Sequence, residues 1–543
     1  ALELVPPAAL ERVEIFRGSA AALAGGGSEA GVIQLFTRRG GPASGRLEVA
    51  AGDFGTRDAG GRFGGRLGGL DLFASGSYHE TDGFRDNAAG ELGRLSLGGG
   101  WELAEDRRLE LSWLGSSGDF GNPGALTLEE LAADPERSPF NSLDFSDREL
   151  SQATASYSDL LGEAWALRAN LFARDADTRI LTTGRAAPVF GGFHSGTDAS
   201  VAGSAVQLTW EDGGGSSRRF DLGVEWLDGD TDAVGIPTPP GDPGQVDPAA
   251  VSSDNTADRE TLALFAQAGW RPAAAWSLTA GARWDDDEIG YRERLPDPAN
   301  VATRGFSELS LRAGATWSAA AGHDLYASLS DGFLPPTPED LFSFPGFGSN
   351  PELEPEDSRS LEVGYRGSWS RGRSLAAALF QADTEDEIVF DPDSPRGLFG
   401  ANVNQGEARR RGLELSLRGP LGDRLRGFAN LTLMDTELRS GANAGAELPL
   451  VPDERLALGL DADLPAGLGL RLTALHVGEQ VLDNDEANAV ERLDAYQVVD
   501  LRLSWRSGLG GGDGLELFVE ARNLFDESYA SRGIFAFDFS TFT

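Results

Sequence analysis

Cysteine and lysine are both absent from this chain of 543 residues, and it has a single methionine. Without cysteine, the chain has no disulfides and no thiolate metal sites. All 46 arginine and lysine residues are therefore arginines, which a GC-rich genome explains more simply than a functional role does. No run of 18 or more apolar residues is available to form a membrane-spanning helix. The net charge of −40 argues against nucleic-acid binding, which needs a basic surface.

The mean hydropathy of −0.26 suits either a soluble protein or a membrane barrel, because lipid-facing strands alternate apolar and polar residues. From Gly45 onward, apolar residues recur at every second position in many segments. These segments are about ten residues or longer, which lets a tilted strand cross a bilayer and exceeds the usual strand of a soluble sandwich. Clear examples are Leu70, Leu72, Ala74; Leu95, Leu97, Gly99, Trp101; Phe220, Leu222, Val224, Trp226; Leu309, Leu311, Ala313, Ala315, Trp317; and Leu515, Leu517, Val519, Ala521.

Short and long connections between these segments alternate along the chain. Short connections fall near 104–106, 272–274 and 319–322, for example, and long ones near 178–198, 230–258 and 288–304. This asymmetry is typical of outer-membrane barrels, with short periplasmic turns and long external loops. With a short last strand that begins near Phe535, the pattern predicts an all-β fold. It would be an antiparallel transmembrane β-barrel of about 22 strands, the size of a plugged transporter rather than an open porin.

Tryptophans support this prediction, because eight of them lie within a few residues of a short connection and three lie toward the long ones. In a barrel they would form two interfacial girdles. A soluble propeller or solenoid would instead show a fixed repeat period, and none is visible. The first group is Trp101, Trp165, Trp210, Trp270, Trp276, Trp317, Trp369 and Trp505, and the second is Trp113, Trp226 and Trp284.

Several motifs occur in a characteristic order. An apolar strand at 10–17 is followed by a small-residue passage and a second apolar strand that ends at 37–40; further motifs lie at 331–357, 404–415 and 515–529. The first resembles the end of the plug domain of TonB-dependent outer-membrane receptors. The other three resemble a loop, a strand and the C-terminal end of their barrels. The resemblance covers nearly the whole chain.

The resemblance implies that residues 1–42 are the C-terminal part of a plug domain and that residues 43–543 form the barrel. Most of the plug and its TonB-binding segment would be missing, and the last strand would stop short at Thr543. The implied function is active uptake of a scarce nutrient through the bacterial outer membrane, a ferric siderophore first and cobalamin next. The implied partners are the inner-membrane TonB complex, outer-membrane lipid and a small ligand, and the receptor would be a monomer. Transport of this kind needs no cofactor and no catalysis, and no Ser-His-Asp, zinc or phosphate-loop pattern stands out.

Two glutamates are candidates for a lock between plug and barrel. Glu362 and Glu414 alternate with apolar residues along their strands. Because alternate strand residues point to opposite faces and the apolar ones should face lipid, both carboxylates should face the lumen. Receptors of this family pair plug arginines with barrel glutamates, and Arg17 and either Arg38 or Arg39 are suitable partners. Buried ion pairs are costly to break from one side, so they could hold the plug in a releasable position. The alternative is that these glutamates are simply solvated.

Ligand contacts are expected in the external loops. A Thr127 cap with Glu130 three residues later indicates a short helix. Haem is a minor option, because the segment from Phe333 to Asn350 lacks the histidine that haem receptors of the family place there. Self-packing of the loop is the alternative for the phenylalanines near that helix. The candidate contacts are Phe120, Phe140, Phe344, Phe347, Arg409, Arg410 and Arg411.

Much of the negative charge is expected in a loop that includes Asp228, Asp230 and Asp232. Carboxylates at this spacing could bind calcium, as loops of cobalamin receptors do. The segment lacks an EF-hand pattern, however, and contains several prolines, so a solvated loop is the simpler interpretation.

Two other classes of function compete with the receptor hypothesis. A passive porin would conduct steadily in planar bilayers, whereas a plugged receptor would stay nearly closed. A surface adhesion barrel would bind cells or polymers without energy-dependent uptake.

Overall fold

The structure is a computed structural model that describes residues 5–18, 25–28, 31–138, 143–183, 191–212, 217–239, 245–296, 298–341, 348–391, 394–397, 400–507, 514–535 and 541–542. Strands account for most of them, with two short helices, α1 (Leu128–Ala133) and α2 (Pro338–Leu341), and 3-10 turns at Pro7–Ala9, Ser370–Gly372 and Pro465–Gly467. No described helix is long and apolar enough to cross a membrane.

The fold is all-β, as predicted, and is dominated by one antiparallel sheet of 21 strands in which each strand pairs with its neighbours in sequence. Two small two-stranded sheets accompany it, β1 (Leu10–Arg17) with β2 (Gly31–Thr37) and β24 (Ile534–Phe535) with β25 (Thr541–Phe542). The strands of the large sheet are β3 (Ser44–Ala51), β4 (Arg57–Leu67), β5 (Leu70–Thr81), β6 (Gly90–Ala104), β7 (Arg107–Gly121), β8 (Phe145–Leu160), β9 (Trp165–Thr182), β10 (Phe193–Asp212), β11 (Arg218–Pro237), β12 (Ser253–Ala273), β13 (Trp276–Leu295), β14 (Val301–Ala320), β15 (His323–Leu334), β16 (Glu356–Trp369), β17 (Arg373–Asp391), β18 (Ala401–Pro420), β19 (Leu425–Leu438), β20 (Glu454–Asp463), β21 (Leu468–Val477), β22 (Tyr496–Arg506) and β23 (Glu516–Ala521).

The strand predicted to begin near Phe535 does not join the large sheet. Ile534 and Phe535 pair with Thr541–Phe542, and Ile534 also forms an isolated bridge with Asp483, which lies outside the strands of the large sheet. A turn at Asn523 takes the chain away from the sheet: its φ is +48°, its side-chain amide donates to the Glu527 carbonyl at 2.8 Å, and its side-chain oxygen accepts from the Glu527 amide at 3.0 Å. Among the described residues the large sheet thus has 21 strands, and the prediction of about 22 is not confirmed.

The sheet has two chemically different faces because its residues alternate. Leu222, Leu264 and Leu309 are 55%, 50% and 61% exposed, so the face that carries them, the apolar face, presents hydrophobic side chains outward. The intervening positions carry Asp221, Arg283 and other buried polar residues, and they form the polar face. Apolar side chains without protein neighbours on one face are what a lipid-facing sheet requires.

The tryptophans lie along the two ends of the apolar face. At the short-turn end, Trp276 stacks on Trp317 with ring centroids 6.3 Å apart. At the other end, Trp226 donates its indole N–H to Glu260 at 2.9 Å, and Trp284 donates to Ser307 at 2.8 Å. An aromatic ring with one hydrogen-bonded polar edge suits a membrane–water interface.

The strands extend much further than the sequence pattern suggested. β11 continues to Pro237, β12 begins at Ser253, and β13 and β14 cover most of 276–320. The predicted loops at 230–258 and 288–304 are therefore partly strand. The prediction was wrong because the outer face changes from apolar to polar beyond Trp226 while the backbone pairing continues, and an apolar alternation cannot reveal that continuation.

Beyond the apolar band, the stretch that follows β15 folds back onto the polar face. Leu341 and Leu353 are fully buried against Ile289, Tyr291 and Phe306. The Asn350 side chain fixes this stretch by donating to the Asn402 carbonyl at 2.8 Å. The motif that the sequence placed in an external loop thus forms a packed lining on β12–β14.

Arg85 connects two other loops, at 82–89 and 122–138. Its guanidinium donates to the carbonyls of Gly124 at 2.7 Å and Arg137 at 2.9 Å, beside helix α1, whose Thr127–Glu130 capping box is formed as predicted.

We expect Arg85→Gln to release the 122–138 loop without unfolding the sheet. Loss of hydrogen bonds from a charged donor costs about 1.5–3 kcal/mol. Hydrogen exchange should therefore accelerate about tenfold or more in 122–138 and stay unchanged in β6 and β7. Arg57→Gln is a suitable control, because Arg57 is 74% exposed and contacts Glu80 only at 3.6 Å. Equal protection of 122–138 in both variants would show that Arg85 does not hold the loop.

Candidate functional site

The N-terminal segment, by which we mean the described part of residues 5–42, lies against the polar face of the sheet. Its first turn, Pro7–Ala9, contacts β4 and β5. Near its other end, Gly40 is so close to the Asp71–Leu72 backbone that an added Cβ would lie 2.3 Å from the Leu72 nitrogen. Arg39 reaches Glu110 on β7, with Nε 3.0 Å from Oε1.

The same segment also reaches strands that are far away in the sheet order. A Cβ added to Gly18 would lie 3.9 Å from Oε2 of Glu362 on β16. Gly25 lies against Arg283 on β13, and the Gly27 amide donates to the Phe333 carbonyl on β15 at 2.8 Å. Because these strands are separated by many others, the sheet must curve around the segment.

Glu362 is the predicted lock residue whose position agrees best with the hypothesis. It lies on the polar face, directly beside Gly18, and Tyr326 donates to its Oε1 at 2.6 Å. The Arg17 side chain, its proposed partner, lies outside the described residues. Glu414 lies on β18 and alternates there with Leu413 and Leu415, as the parity argument predicted.

The other two arginines do not meet these glutamates in the described contacts. Arg39 pairs with Glu110 instead, and Arg38 lies near Arg62 on β4. Both therefore lie toward β4 and β7 rather than toward β16 and β18. Arg39 is thus placed with Glu110 rather than with Glu362 or Glu414, because motif and strand alternation assign a face to each residue but do not say which strand its side chain reaches. The pairing of Arg38 stays a prediction.

The three consecutive arginines at 409–411 do not act together. Arg410 is on the polar face, where it donates to Glu387 at 2.5 Å and to Thr384 at 3.2 Å. Arg409 and Arg411 share the opposite face with Leu413 and Leu417 and pair with Asp383 at 2.5 Å and Asp435 at 2.6 Å. Of the three arginines, Arg410 is therefore the one that a ligand inside the sheet could meet, and ligand contact by Arg409 and Arg411 stays a prediction.

Among the phenylalanine candidates, Phe120 is described. It follows Asp119 at the end of β7, and its ring lies over Gly90 and Gly118. This is the self-packing alternative, although the residue is on the polar face. Phe140, Phe344 and Phe347 lie outside the described residues.

The aspartates proposed as a calcium site are in a strand and not in a loop. Asp228, Asp230 and Asp232 occupy alternate positions of β11, on the face of Trp226, and are therefore about 6.6 Å apart along the strand. Asp232 pairs with Arg294 at 2.8 Å. Within the described residues, no group of three or more acidic or histidine side chains has the geometry to hold a metal ion. Calcium binding stays a prediction.

The polar face carries a charged cluster that sequence reasoning missed. Arg283 is 3% exposed and lies between Glu225, with Nη1 2.6 Å from Oε2, and Asp285, with Nε 2.9 Å from Oδ1. Next to it, Arg259 pairs with Asp287 at 2.8 Å. The alternation of charged residues around Trp284 could have placed this cluster on the polar face, because successive strand residues point to opposite sides.

Comparison with known proteins gives a consistent result. The family model described as "TonB dependent receptor-like, beta-barrel" matches residues 44–524. The chain is 23% identical to the metal-pseudopaline receptor CntO of Pseudomonas aeruginosa, over 97% of this chain and 77% of that protein. It is also 23% identical to the vitamin B12 transporter BtuB of Photobacterium profundum, over 97% of this chain and 78% of that one.

Among solved structures, the siderophore receptor PiuA of Acinetobacter baumannii shares the fold, with a TM-score of 0.83 at 19% identity over 98% of this chain and 84% of PiuA. The family model covers most of the chain, and the 21-stranded antiparallel sheet agrees with it. The chain therefore belongs to the TonB-dependent receptor β-barrel family and is a protein of the bacterial outer membrane.

Proposed function

We propose that this protein takes up a metal chelate of the siderophore type, with cobalamin as the second candidate, through a closed barrel that opens only when energy is supplied. The observation that carries the proposal is the N-terminal segment on the polar face, which contacts strands from β4 to β16. A segment held across the lumen in this way suits a gated receptor rather than a permanently open pore.

Residues 1–42 would then be the C-terminal part of a plug, and residues 43–543 the barrel. Closure of the sheet is supported by the strand order, in which β23 lies beside β3. The TonB complex of the inner membrane would supply the energy, and catalysis plays no part in the proposal. The relatives differ in ligand, since one is named for pseudopaline and another for vitamin B12. Likeness alone therefore does not select the ligand.

Uptake by cells tests this function. The full gene is expressed in a strain without its own receptors, and the cells are given labelled ferric siderophores and labelled cobalamin in parallel. We expect accumulation of one ligand class in cells with TonB and no accumulation in a matched TonB deletion strain. Equal entry in both strains would indicate a passive porin, and surface binding without entry would indicate an adhesin.

Arg410 provides a test at the level of a residue. An anionic chelate inside the barrel would meet Arg410, whereas Arg411 is on the opposite face of the same strand. We expect Arg410→Gln to weaken chelate binding about tenfold, the effect of losing about 1.4 kcal/mol. Arg411→Gln is the matched control and should bind like the wild type. Binding to cells without TonB measures the affinity, and equal affinities in the two variants would remove Arg410 from the ligand site.

A further inference from the structure

The turn at Gly25–Ser28 of the N-terminal segment is held from two sides. On one side, a Cβ added to Gly25 would lie 2.9 Å from Nη2 of Arg283. On the other, a Cβ added to Gly26 would lie 2.9 Å from both the Phe333 ring and the Pro335 ring. Real Cβ atoms do not approach other atoms so closely, so the turn occupies a gap that only glycine fits.

The turn also needs glycine for its backbone conformation. Gly25 and Gly27 have φ angles of +81° and +78°, which other residues adopt only at an energetic cost. The Ser28 hydroxyl donates to the Gly25 carbonyl at 2.5 Å and closes the turn. The Gly27 amide donates to the Phe333 carbonyl at 2.8 Å and ties the turn to the end of β15. The backbone conformation of the turn, the space around it and its hydrogen bonds are thus all consistent with one docked position.

Both sides of the gap are buried. Arg283 is buried and held by Glu225 and Asp285, the second of which is 2% exposed. Phe333 is also 2% exposed. Two carboxylates at ion-pair distance oppose movement of the guanidinium away from the turn. The turn is therefore seated against preformed surfaces.

Phe333 and Pro335 also connect the turn to the external side. The chain runs from Pro335 into α2 and the stretch that buries Leu341 and Leu353 against β13 and β14. The Gly18 contact with Glu362 is on β16 and involves none of these residues. The seat of the glycine turn is thus a further contact between segment and barrel, separate from the one at Gly18.

We propose that Arg283 on one side and Phe333 with Pro335 on the other form a clamp for the Gly25–Ser28 turn, and that this clamp keeps the lumen closed. Arg283 is a positioning residue that acts through the turn and does not touch the ligand. The inference rests on the proposed function, because it assigns the clamp to the closed state of a gated receptor. Opening requires the turn to leave its seat.

Single substitutions in the full-length protein test the clamp. Gly26→Ala adds a methyl group where the Phe333 and Pro335 rings leave no room. Gly41→Ala is the matched control, because an added Cβ at Gly41 meets nothing within 4 Å and the residue is in the same segment. In planar bilayers, we expect wild type and Gly41→Ala to stay closed and Gly26→Ala to show channel openings at least about ten times more often. The heat-dependent gel shift of folded barrels confirms that each variant is folded.

A reversible cross-link tests the same contact in the opposite direction. The chain has no cysteine, so Gly26→Cys with Pro335→Cys introduces the only possible disulfide, and the second substitution removes the Pro335 ring that an added Cβ at Gly26 would meet. We expect the oxidised protein to bind ligand but to lose uptake, and reduction to restore uptake. Gly41→Cys with Pro335→Cys is the control pair and should transport under both conditions.

The outcomes separate the clamp from the proposed function. A wild-type protein that conducts steadily would overturn the gated receptor itself. If the wild type is closed and Gly26→Ala shows no more channel openings than Gly41→Ala, the clamp is overturned, but the gated-receptor proposal is not. Undiminished uptake by the oxidised Gly26–Pro335 pair would likewise show that the turn does not have to move.

Discussion

Removal of residues 1–42 is expected to convert a nearly closed protein into a steady conductor. The deletion removes the turn that contacts β4 and β5, the Arg39 pair with Glu110, the Gly18 contact with Glu362 and the seated glycine turn. The large sheet would keep all 21 strands, because within the described part of the chain β1 and β2 form a sheet of their own. The deletion should therefore empty the lumen, and the barrel should stay folded.

Planar bilayers measure the result. A barrel of this size without its plug has a water-filled lumen, so the deletion variant should carry a large, constant current at low voltage, while the full chain stays near the baseline. The same variant should lose TonB-dependent uptake and admit small solutes in cells with or without TonB.

A deletion variant with no more current than the full chain would contradict this account of the N-terminal segment. It would mean that loops beyond α2, rather than residues 1–42, close the lumen. Deletion of residues 122–138 is the control for a general loosening of the protein, since that loop is fixed by Arg85 outside the N-terminal segment. It should leave the protein closed.

The sequence predicted which face of the sheet a residue lies on better than it predicted which residue the side chain contacts. Strand alternation placed Glu362 on the polar face, and the structure confirms that placement. The same reasoning could not show that Arg39 reaches Glu110, because the strand that a long side chain reaches depends on the tilt and curvature of the sheet. Those quantities arise from the pairing of all strands together and are not visible in any one segment.

The Asp228–Asp232 stretch illustrates a different limit. Its carboxylates interrupt the apolar alternation, so the pattern suggested a loop, while the backbone pairing continues to Pro237 on one side and to Ser253 on the next strand. Hydrophobic periodicity shows where lipid ends and not where the sheet ends. The contact of Gly25 with Arg283 is harder still to predict, because it joins residues 258 positions apart and depends on the three-dimensional curvature of the sheet.

Replacement of Arg283 by methionine is expected to destabilise the folded protein strongly. The guanidinium is 3% exposed and neutralises Asp285, which is 2% exposed, and Glu225. Without it, a buried carboxylate has lost its counter-charge, and breaking a buried pair from one side costs about 3–5 kcal/mol. Urea unfolding of the detergent-folded protein, followed by tryptophan fluorescence, gives the free energy of unfolding.

The double variant Arg283→Met with Asp285→Leu shows how much of the lost stability comes from the ion pair itself and how much from its surroundings. Since the buried carboxylate of Asp285 is then removed with the arginine, and Glu225, the carboxylate left without its partner, is 29% exposed, the double variant should regain part of the stability that Arg283→Met loses. The coupling energy should be about 1–3 kcal/mol. The exposed pair of Arg471 and Asp461, with side chains 62% and 31% exposed, is the matched control and should show a coupling of at most about 1 kcal/mol. If both pairs gave the same small coupling, water would reach Arg283 in the folded protein. Its guanidinium would then be free to move, and the rigid seat of the glycine turn would be lost along with it.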